Sequence, residues 1–333
     1  LDNNDKNRSL EEIFVSTFHD KMSFKEFLSL DINNEYHTID LRKRVIYAPT
    51  PKLKQIHRFI NKTILEFADY SKDVVYSYRK GVSVRDAVEK HSNNTIFFQT
   101  DFSDFYSSIH AENVKTSLYK QLSNTYISDI EKYIDRILEL TVIDNHIPAG
   151  FSTSPLLSNI CLFDFDQELL KCCNDIGLTY TRYSDDIIIS GSDKTFTDDI
   201  LSIIKDLLGK HVNSEISIND SKTKINKKGH DFKLLGFSIL PNGIVTIPSE
   251  YKKEVELLLY FYLTDNEKFE DYFKKLNENK KLELEDKTLR EHAINSLSGK
   301  MIAFNSMDKK YISKLRRKYG NTVIDMFIRK SVK

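Results

Sequence analysis

The run Gly177-Leu178-Thr179-Tyr180-Thr181-Arg182-Tyr183-Ser184-Asp185-Asp186-Ile187-Ile188-Ile189-Ser190 holds two strand-like stretches, Gly177–Arg182 and Ile187–Ser190, around a polar centre. β-Branched and aromatic residues in both stretches predict a hairpin with Tyr183-Ser184-Asp185-Asp186 as its turn. Two adjacent carboxylates between apolar strands repel each other and lose hydration, so they attract a divalent cation. Mg²⁺ suits oxygen ligands that leave positions open for phosphates. An Asp-Asp pair is equally an ordinary polar turn, and the pair alone does not choose. A third carboxylate, Asp101, follows the apolar strand expected over 95–99. With the two strands as neighbours, three carboxylates would converge at one end of a sheet. That arrangement suits a two-metal site, one ion activating an attacking hydroxyl and the other steadying a leaving pyrophosphate.

The rest of the chain fits a folded enzyme. Of 333 residues, 40% are hydrophobic and 29% charged, with 49 basic against 49 acidic, so intrinsic disorder is excluded as the main state. The longest apolar run, Leu257–Leu263, falls far short of the roughly 20 residues of a membrane helix. No basic start leads into an apolar signal segment, so secretion is not expected. Cys161, Cys172 and Cys173 form no disulfide framework, which points to a reducing, cytoplasmic setting. Charge is unevenly spread. Nine Lys or Arg lie between Met307 and Lys333 against Asp308 and Asp325, while the centre is rich in Asp. A polyanion-binding enzyme has that distribution, and so does a solvated terminal helix.

Periodicity supplies the other elements. Phe14, Phe18, Phe24 and Phe27 predict short amphipathic helices, and Leu53, Ile56, Phe59, Ile60, Ile64 and Phe67 a helix after Pro51. A further helix is expected over 127–140. Ser154-Pro155 predicts one that starts there and runs to about Cys173. Thr197 is read as the cap of a helix ending at Gly209, with strands at Ile216–Ile218 and Lys233–Leu240, and charged helices after Pro248. The order predicts an α+β fold with a largely antiparallel sheet. Other chemistries lack their patterns. Gly209-Lys210 and Gly299-Lys300 are not P-loops, Gly150–Ser154 is not a nucleophile elbow, and the histidines show no zinc spacing.

Set in order, several segments resemble the motifs of reverse transcriptases. Thr100-Asp101-Phe102-Ser103-Asp104-Phe105-Tyr106-Ser107-Ser108-Ile109 resembles motif A, and Ile147-Pro148-Ala149-Gly150 through Asn159 resembles motif B. Tyr183-Ser184-Asp185-Asp186 fits motif C. Asn219–Thr223 resembles motif D, and Leu235-Gly236-Phe237 motif E, the primer grip. Arg44–Pro49, Leu53–Ile56 and Tyr78-Arg79-Lys80-Gly81 are similar to the finger blocks, and Ile294–Phe304 to the thumb of retron and group II intron polymerases. Each motif is short, and their order from about residue 42 to 315 carries the resemblance. It points to bacterial retron-type enzymes and, within them, to the defence-associated, abortive-infection-like groups.

The resemblance implies a right-hand polymerase with a palm of antiparallel sheet, helical fingers and a helical thumb. Residues 1–41 would be an N-terminal helical extension, 42–94 and 110–160 fingers, 95–109 and 161–247 palm, and 248–333 a basic thumb. The implied reaction is RNA-directed DNA synthesis, with a primer 3′-hydroxyl attacking a deoxynucleoside triphosphate. Asp101, Asp185 and Asp186, with the Phe102 carbonyl, would hold two Mg²⁺, for which Mn²⁺ could substitute. Lys222 would protonate the leaving pyrophosphate or stand as a surface lysine. Arg79 and Lys80 would clamp the triphosphate, and Tyr106 would exclude a 2′-hydroxyl. Ala149 and Gly150 would lie by the nascent base pair, and Leu235, Gly236 and Phe237 would support the primer end. Lys309, Lys310, Lys314, Arg316, Arg317 and Lys318 would hold an RNA template and its DNA or RNA primer by their backbones. A co-encoded non-coding RNA is one candidate template, and a defence protein or a second copy of the chain a candidate partner. A membrane is not expected as one.

The sequence departs from the family pattern at three places. Ala149 stands where motif B has glutamine, Val245-Thr246-Ile247 where retron enzymes have Val-Thr-Gly, and Asp86-Ala87 with His91 one place late for an Asn-Ala-x-x-His element. Nothing after the thumb resembles ribonuclease H, integrase or HNH endonuclease. Two alternatives stay open: template-independent or protein-primed DNA synthesis on the same palm, and a catalytically silent nucleic-acid-binding scaffold.

Overall fold

Ser9 starts the first helix with a reciprocal cap, its hydroxyl accepting from the Glu12 N–H while the Glu12 carboxylate accepts from the Ser9 N–H. Ser23 and Glu26 repeat the device at the second. These helices, α1 (Leu10–Phe18) and α2 (Phe24–Ser29), bury Phe14, Phe18, Phe24 and Phe27. Phe18, Phe24 and Phe27, together with Phe59 of α3 (Pro51–Thr63), gather around Phe14, and Phe14 and Phe59 are centred 5.0 Å apart. The computed structural model describes residues 8–41, 44–123, 125–193, 196, 199–229, 232–278 and 288–330. They form two compact units, Leu1–Lys227 and Lys228–Lys333, each with its own apolar core.

In the first unit β1 (Tyr36–Asp40) and β2 (Val45–Pro49) pair as a hairpin ahead of α3. Thr50 caps α3 and Pro51 takes its first position, where a missing N–H costs nothing. α4 (Val84–Lys90) leads into the central strand β3 (Ile96–Ser103). This strand is longer than the run expected at 95–99, and Asp101 lies within it. Helices α5 (Ala111–Gln121) and α6 (Ile134–Thr141) follow. The helix expected over 127–140 is shorter, because Ile130–Tyr133 form a 3₁₀ turn ahead of α6.

The helix expected from Ser154 to about Cys173 is two helices, α7 (Ser154–Cys161) and α8 (Phe163–Asp175). Backbone at Leu162 leaves helical geometry (φ −92°, ψ 7°), and α8 restarts with Phe165 and Asp166 buried. β4 (Thr179–Tyr183) and β5 (Asp186–Gly191) form the expected hairpin. α9 (Ile200–His211) runs two residues past Gly209, and the expected cap Thr197 lies outside the described residues. β6 (Ser217–Ile218) and β7 (Lys224–Lys227) complete the sheet. Its order is β4-β5-β3, and the far edge of β3 is shared by β7 along residues 96–99 and β6 at 102–103. Every pairing of these strands is antiparallel.

In the second unit the single strand expected over Lys233–Leu240 is a hairpin, β8 (Phe232–Leu234) and β9 (Phe237–Ile239). Leu235 (φ 47°) and Gly236 (φ 81°) both take left-handed backbone, as a tight two-residue turn demands. The break is visible in the pattern: Phe232 and Leu234, then Phe237 and Ile239, are two alternating pairs out of phase with each other. β10 (Val245–Thr246) joins β9. Among the described residues five helices follow: α10 (Ser249–Thr264), α11 (Asn266–Leu276), α12 (Leu289–Met307), α13 (Lys309–Tyr319) and α14 (Asn321–Ile328). The fold class is α+β, as expected. No described helix is long and apolar enough to cross a membrane.

Candidate active site

Antiparallel register brings the three acids together. Asp101 on β3 lies directly opposite Asp186 on β5, and Asp186 in turn opposes Tyr183. The Phe102 N–H donates to the Asp185 carbonyl at 3.3 Å, which carries the turn onto the end of β3. The Asn219 N–H donates to the Asp101 carbonyl at 2.9 Å, so the loop after β6 closes the other side.

Electrostatics within this cluster are strained. Asp101 is only 5% exposed. One of its oxygens meets the Lys222 ammonium, while Oδ1 is buried with no hydrogen-bond partner. Burial first, then the Asp185 and Asp101 charges, push the Asp186 carboxyl up to about 6. The hydrogen bond to Asp101 raises Lys222, which stays cationic. Among the described residues no three acidic, histidine or cysteine side chains already close around one point. An orphaned buried oxygen beside mutually repelling carboxylates nonetheless fits hard divalent cations with open positions.

A buried charge supports the turn from behind. The Arg182 guanidinium has no exposure and grips Asp166, with Nε to Oδ1 at 2.9 Å and Nη2 to Oδ2 at 2.6 Å. It also donates to Asn159 Oδ1 at 3.2 Å and to the Ser184 carbonyl at 3.0 Å. Tyr180 adds a 2.6 Å bond to Asp166. Ser184 itself takes a positive φ of 59°. Behind the hairpin, His91 is buried between Ser190 Oγ (2.6 Å) and Thr181 Oγ1 (2.8 Å), and burial pulls it down to about 3, so the ring is neutral and ties β4 to β5.

A cavity of about 780 Å³, within the usual range of small-molecule sites, opens at Asp101 and Asp185, whereas Asp186 and Gly150 lie outside its lining. Its wall includes Asp101, Phe102, Tyr106, Ala149, Ser184, Asp185, Asn219 and Lys222 of the palm motifs, Arg44, Tyr47 and Tyr78 of the finger blocks, and also His146. Gly150 (φ 108°) packs so closely on β2 that a Cβ would strike the Tyr47 carbonyl oxygen and lie 2.7 Å from Ile46 Cγ2. The Ala149 carbonyl accepts from the Tyr47 N–H at 2.8 Å, docking the motif on β2. Tyr106 hydrogen-bonds through its hydroxyl to that of Tyr78 at 3.1 Å, and burial followed by this bond raises it above the ordinary tyrosine range.

Other expected site residues lie elsewhere. The Arg79 guanidinium donates to the Lys72 and Val75 carbonyls over the Tyr70 ring, and Lys80 pairs with Glu66 at 3.0 Å. Neither lines the cavity; among the described residues Arg44 and Lys222 are the lysine and arginine side chains that do. Leu235 and Gly236 form the hairpin turn of the second unit, and Phe237 opens β9. On α13, Tyr311, Ile312 and Leu315 face that unit's core, and Lys309, Lys310, Lys314 and Arg317 are exposed. Arg316 bonds Asp325 at 2.9 Å, and Lys318 bonds Glu256 at 2.6 Å. Arg44, Tyr78, Asp166 and Arg182 carried no role in the sequence reading. Arg182 stands beside the Asp-Asp turn, but its partner Asp166 shares no motif with it.

The reverse transcriptase (RNA-dependent DNA polymerase) family model matches residues 42–239. The chain belongs to that family, and it is of the retron type. It is an RNA-directed DNA polymerase. Two curated Escherichia coli relatives are the Retron Ec83 reverse transcriptase, 25% identical over 84% of both chains, and the Retron Ec73 reverse transcriptase, 26% identical over 83% of both. Among solved structures, apo telomerase from Candida tropicalis is similar at a TM-score of 0.45 and 13% identity, covering 89% of this chain and 61% of that one.

Proposed function

We propose that the cavity at Asp101 and Asp185 is the nucleotidyl-transfer site, working with two Mg²⁺ held by these carboxylates, that of Asp186 and the Phe102 carbonyl. The observation that carries this reading is the register of Asp101 against Asp186, with Asp101 Oδ1 left unpaired. When bound, such ions lower the pKa of the primer hydroxyl and neutralise charge on the leaving pyrophosphate. The chain's own residues do the rest. Asp101, fixed in the central strand, and the turn backed by Arg182 hold their oxygens in place before substrate arrives. The reaction forms a bond from the primer 3′-oxygen to the α-phosphorus and breaks the one to pyrophosphate, in line.

Arg44, rather than Arg79 or Lys80, would meet the triphosphate, since it is the finger-block cation on the cavity wall. Lys222 carries full positive charge beside Asp101, so its role is charge stabilisation of pyrophosphate more than proton donation. Tyr106 takes the sugar-gate position on the same wall. In the second unit the exposed cations of α13 would contact the template–primer backbone, and the Leu235-Gly236 turn the primer end. The palm, fingers and thumb boundaries carry over to this reading. Retron-type kinship supports a role in bacterial antiphage defence, in the cytoplasm, with an RNA template and a primer, and a partner protein or second copy alongside.

Replacing Asp185 and Asp186 together with Asn tests the site: incorporation of dNTP on an RNA template should vanish, and retained activity would refute it. A second reading, template-independent or protein-primed synthesis, is favoured by Ala149, which offers no amide to the nascent base pair. Extension without template, followed by sequencing of the product, separates the two. A scaffold without catalysis would incorporate nothing with either Mg²⁺ or Mn²⁺.

A further inference from the structure

Tyr78 sits between fingers sequence and the catalytic turn. Its hydroxyl is 2.7 Å from Ser184 Oγ and 3.1 Å from the Tyr106 hydroxyl. Its neighbour Ser77 accepts from the Ser184 N–H at 2.8 Å, and the Ser77 carbonyl accepts from Asn159 Nδ2 at 3.2 Å. The dipeptide therefore holds Ser184 twice and is itself held by motif B. Tyr78 has a positive φ of 59°, which a tyrosine keeps only where surrounding contacts over-determine it. The ring lines the cavity and is 43% exposed.

We propose that Tyr78 determines sugar specificity by positioning: its hydroxyl locks the ring of Tyr106 and references it, through Ser184, to the residue next to Asp185. This rests on the reading of Tyr106 as the gate. A gate excludes a 2′-hydroxyl only if its ring cannot yield, and a displacement of about 1 Å is enough to lose such selectivity. Tyr78 supplies a bond to the Tyr106 hydroxyl from a segment outside motif A.

The test measures kcat/KM for single additions of a dNTP and the matching rNTP by Tyr78→Phe, Tyr106→Phe, the double variant and Tyr106→Ala. Tyr78→Phe removes only the hydroxyl. It should lower the dNTP-over-rNTP preference about three- to tenfold, the worth of the bond to Tyr106, while the bond to Ser184 is lost for both substrates alike. The double variant should lose less preference than the product of the two single losses, because both changes delete the Tyr78–Tyr106 bond. Unchanged preference in Tyr78→Phe, while Tyr106→Ala admits ribonucleotides, overturns the proposal alone. So do independent, multiplying effects in the double variant, or equal loss of both substrates in Tyr78→Phe. Unchanged preference in Tyr106→Ala removes the gate reading itself, and this proposal with it.

Discussion

Arg182 and Asp166 form an ion pair with no solvent exposure on either side chain, and the same guanidinium holds the carbonyl of Ser184 in the turn that carries Asp185. The pair comes from neighbouring elements, β4 and α8, and Tyr180 and Asn159 add hydrogen bonds to it. A charge this deeply buried is tolerated because its partners replace the water it has lost.

Removing one partner leaves the other charge buried and unpaired. Arg182→Met or Asp166→Asn should therefore each cost about 3–5 kcal/mol. Urea unfolding followed by a probe in the first unit measures this, and a loss below about 1 kcal/mol would show that the pair carries no such stress.

Stability should depend on pH through Asp186. Its folded carboxyl titrates near 6, above its ordinary value of 3.8, so across that interval the native state holds more protons than the unfolded chain. Stability then falls as pH rises from about 4 to about 6, and the penalty persists at neutral pH. With chelator present, Asp186→Asn should stabilise the protein at pH 7 by on the order of 1–3 kcal/mol and much less at pH 4. Equal effects at both pH values would contradict the assignment.

At Gly150 both the left-handed backbone and the contact with β2 exclude a side chain. Gly150→Ala should destabilise by about 1–3 kcal/mol and reduce nucleotide addition, since strand and motif must separate. A thermal melt beside an activity assay checks both. A variant of unchanged stability would mean that β2 yields freely.

Arg44→Ala should raise KM for dNTP about tenfold, as expected when a charged hydrogen bond to phosphate is lost. Arg79→Ala and Lys80→Ala should move it far less, because their cations are already engaged with carbonyls and Glu66. Steady-state kinetics that rank the three the other way would return the triphosphate to the Tyr78–Gly81 block.

On α13, changing Lys309, Lys310 and Lys314 to Ala should weaken template–primer binding uniformly across sequences. The slope of log K against log salt should shrink by about 0.7–0.9 for each phosphate contact removed. An unaltered slope would take this helix off the nucleic acid.

Much of the molecule was legible along the chain, because its causes are local. Alternation and β-branching announced the hairpin at Asp185-Asp186, apolar spacing the helix from Pro51, and the order of short motifs the family. Local signals failed where long-range contact decides. β7, Lys-Ile-Asn-Lys at 224–227, has no apolar alternation and is a strand because the edge of β3 needs hydrogen-bond partners. One expected helix divides at Leu162, where α8 turns to bury Phe165 and Asp166.

The same division runs through the site. Residue types and order determined which carboxylates and which tyrosine to look for, since chemistry limits what can bind phosphate and metal. Only the tertiary structure decided that Arg44 rather than Arg79 reaches the cavity, that Arg182 finds Asp166, and that Tyr78 bonds Tyr106 and Ser184. Those choices depend on which distant groups are left to satisfy a buried polar atom once the chain has closed, and no window of sequence contains both partners.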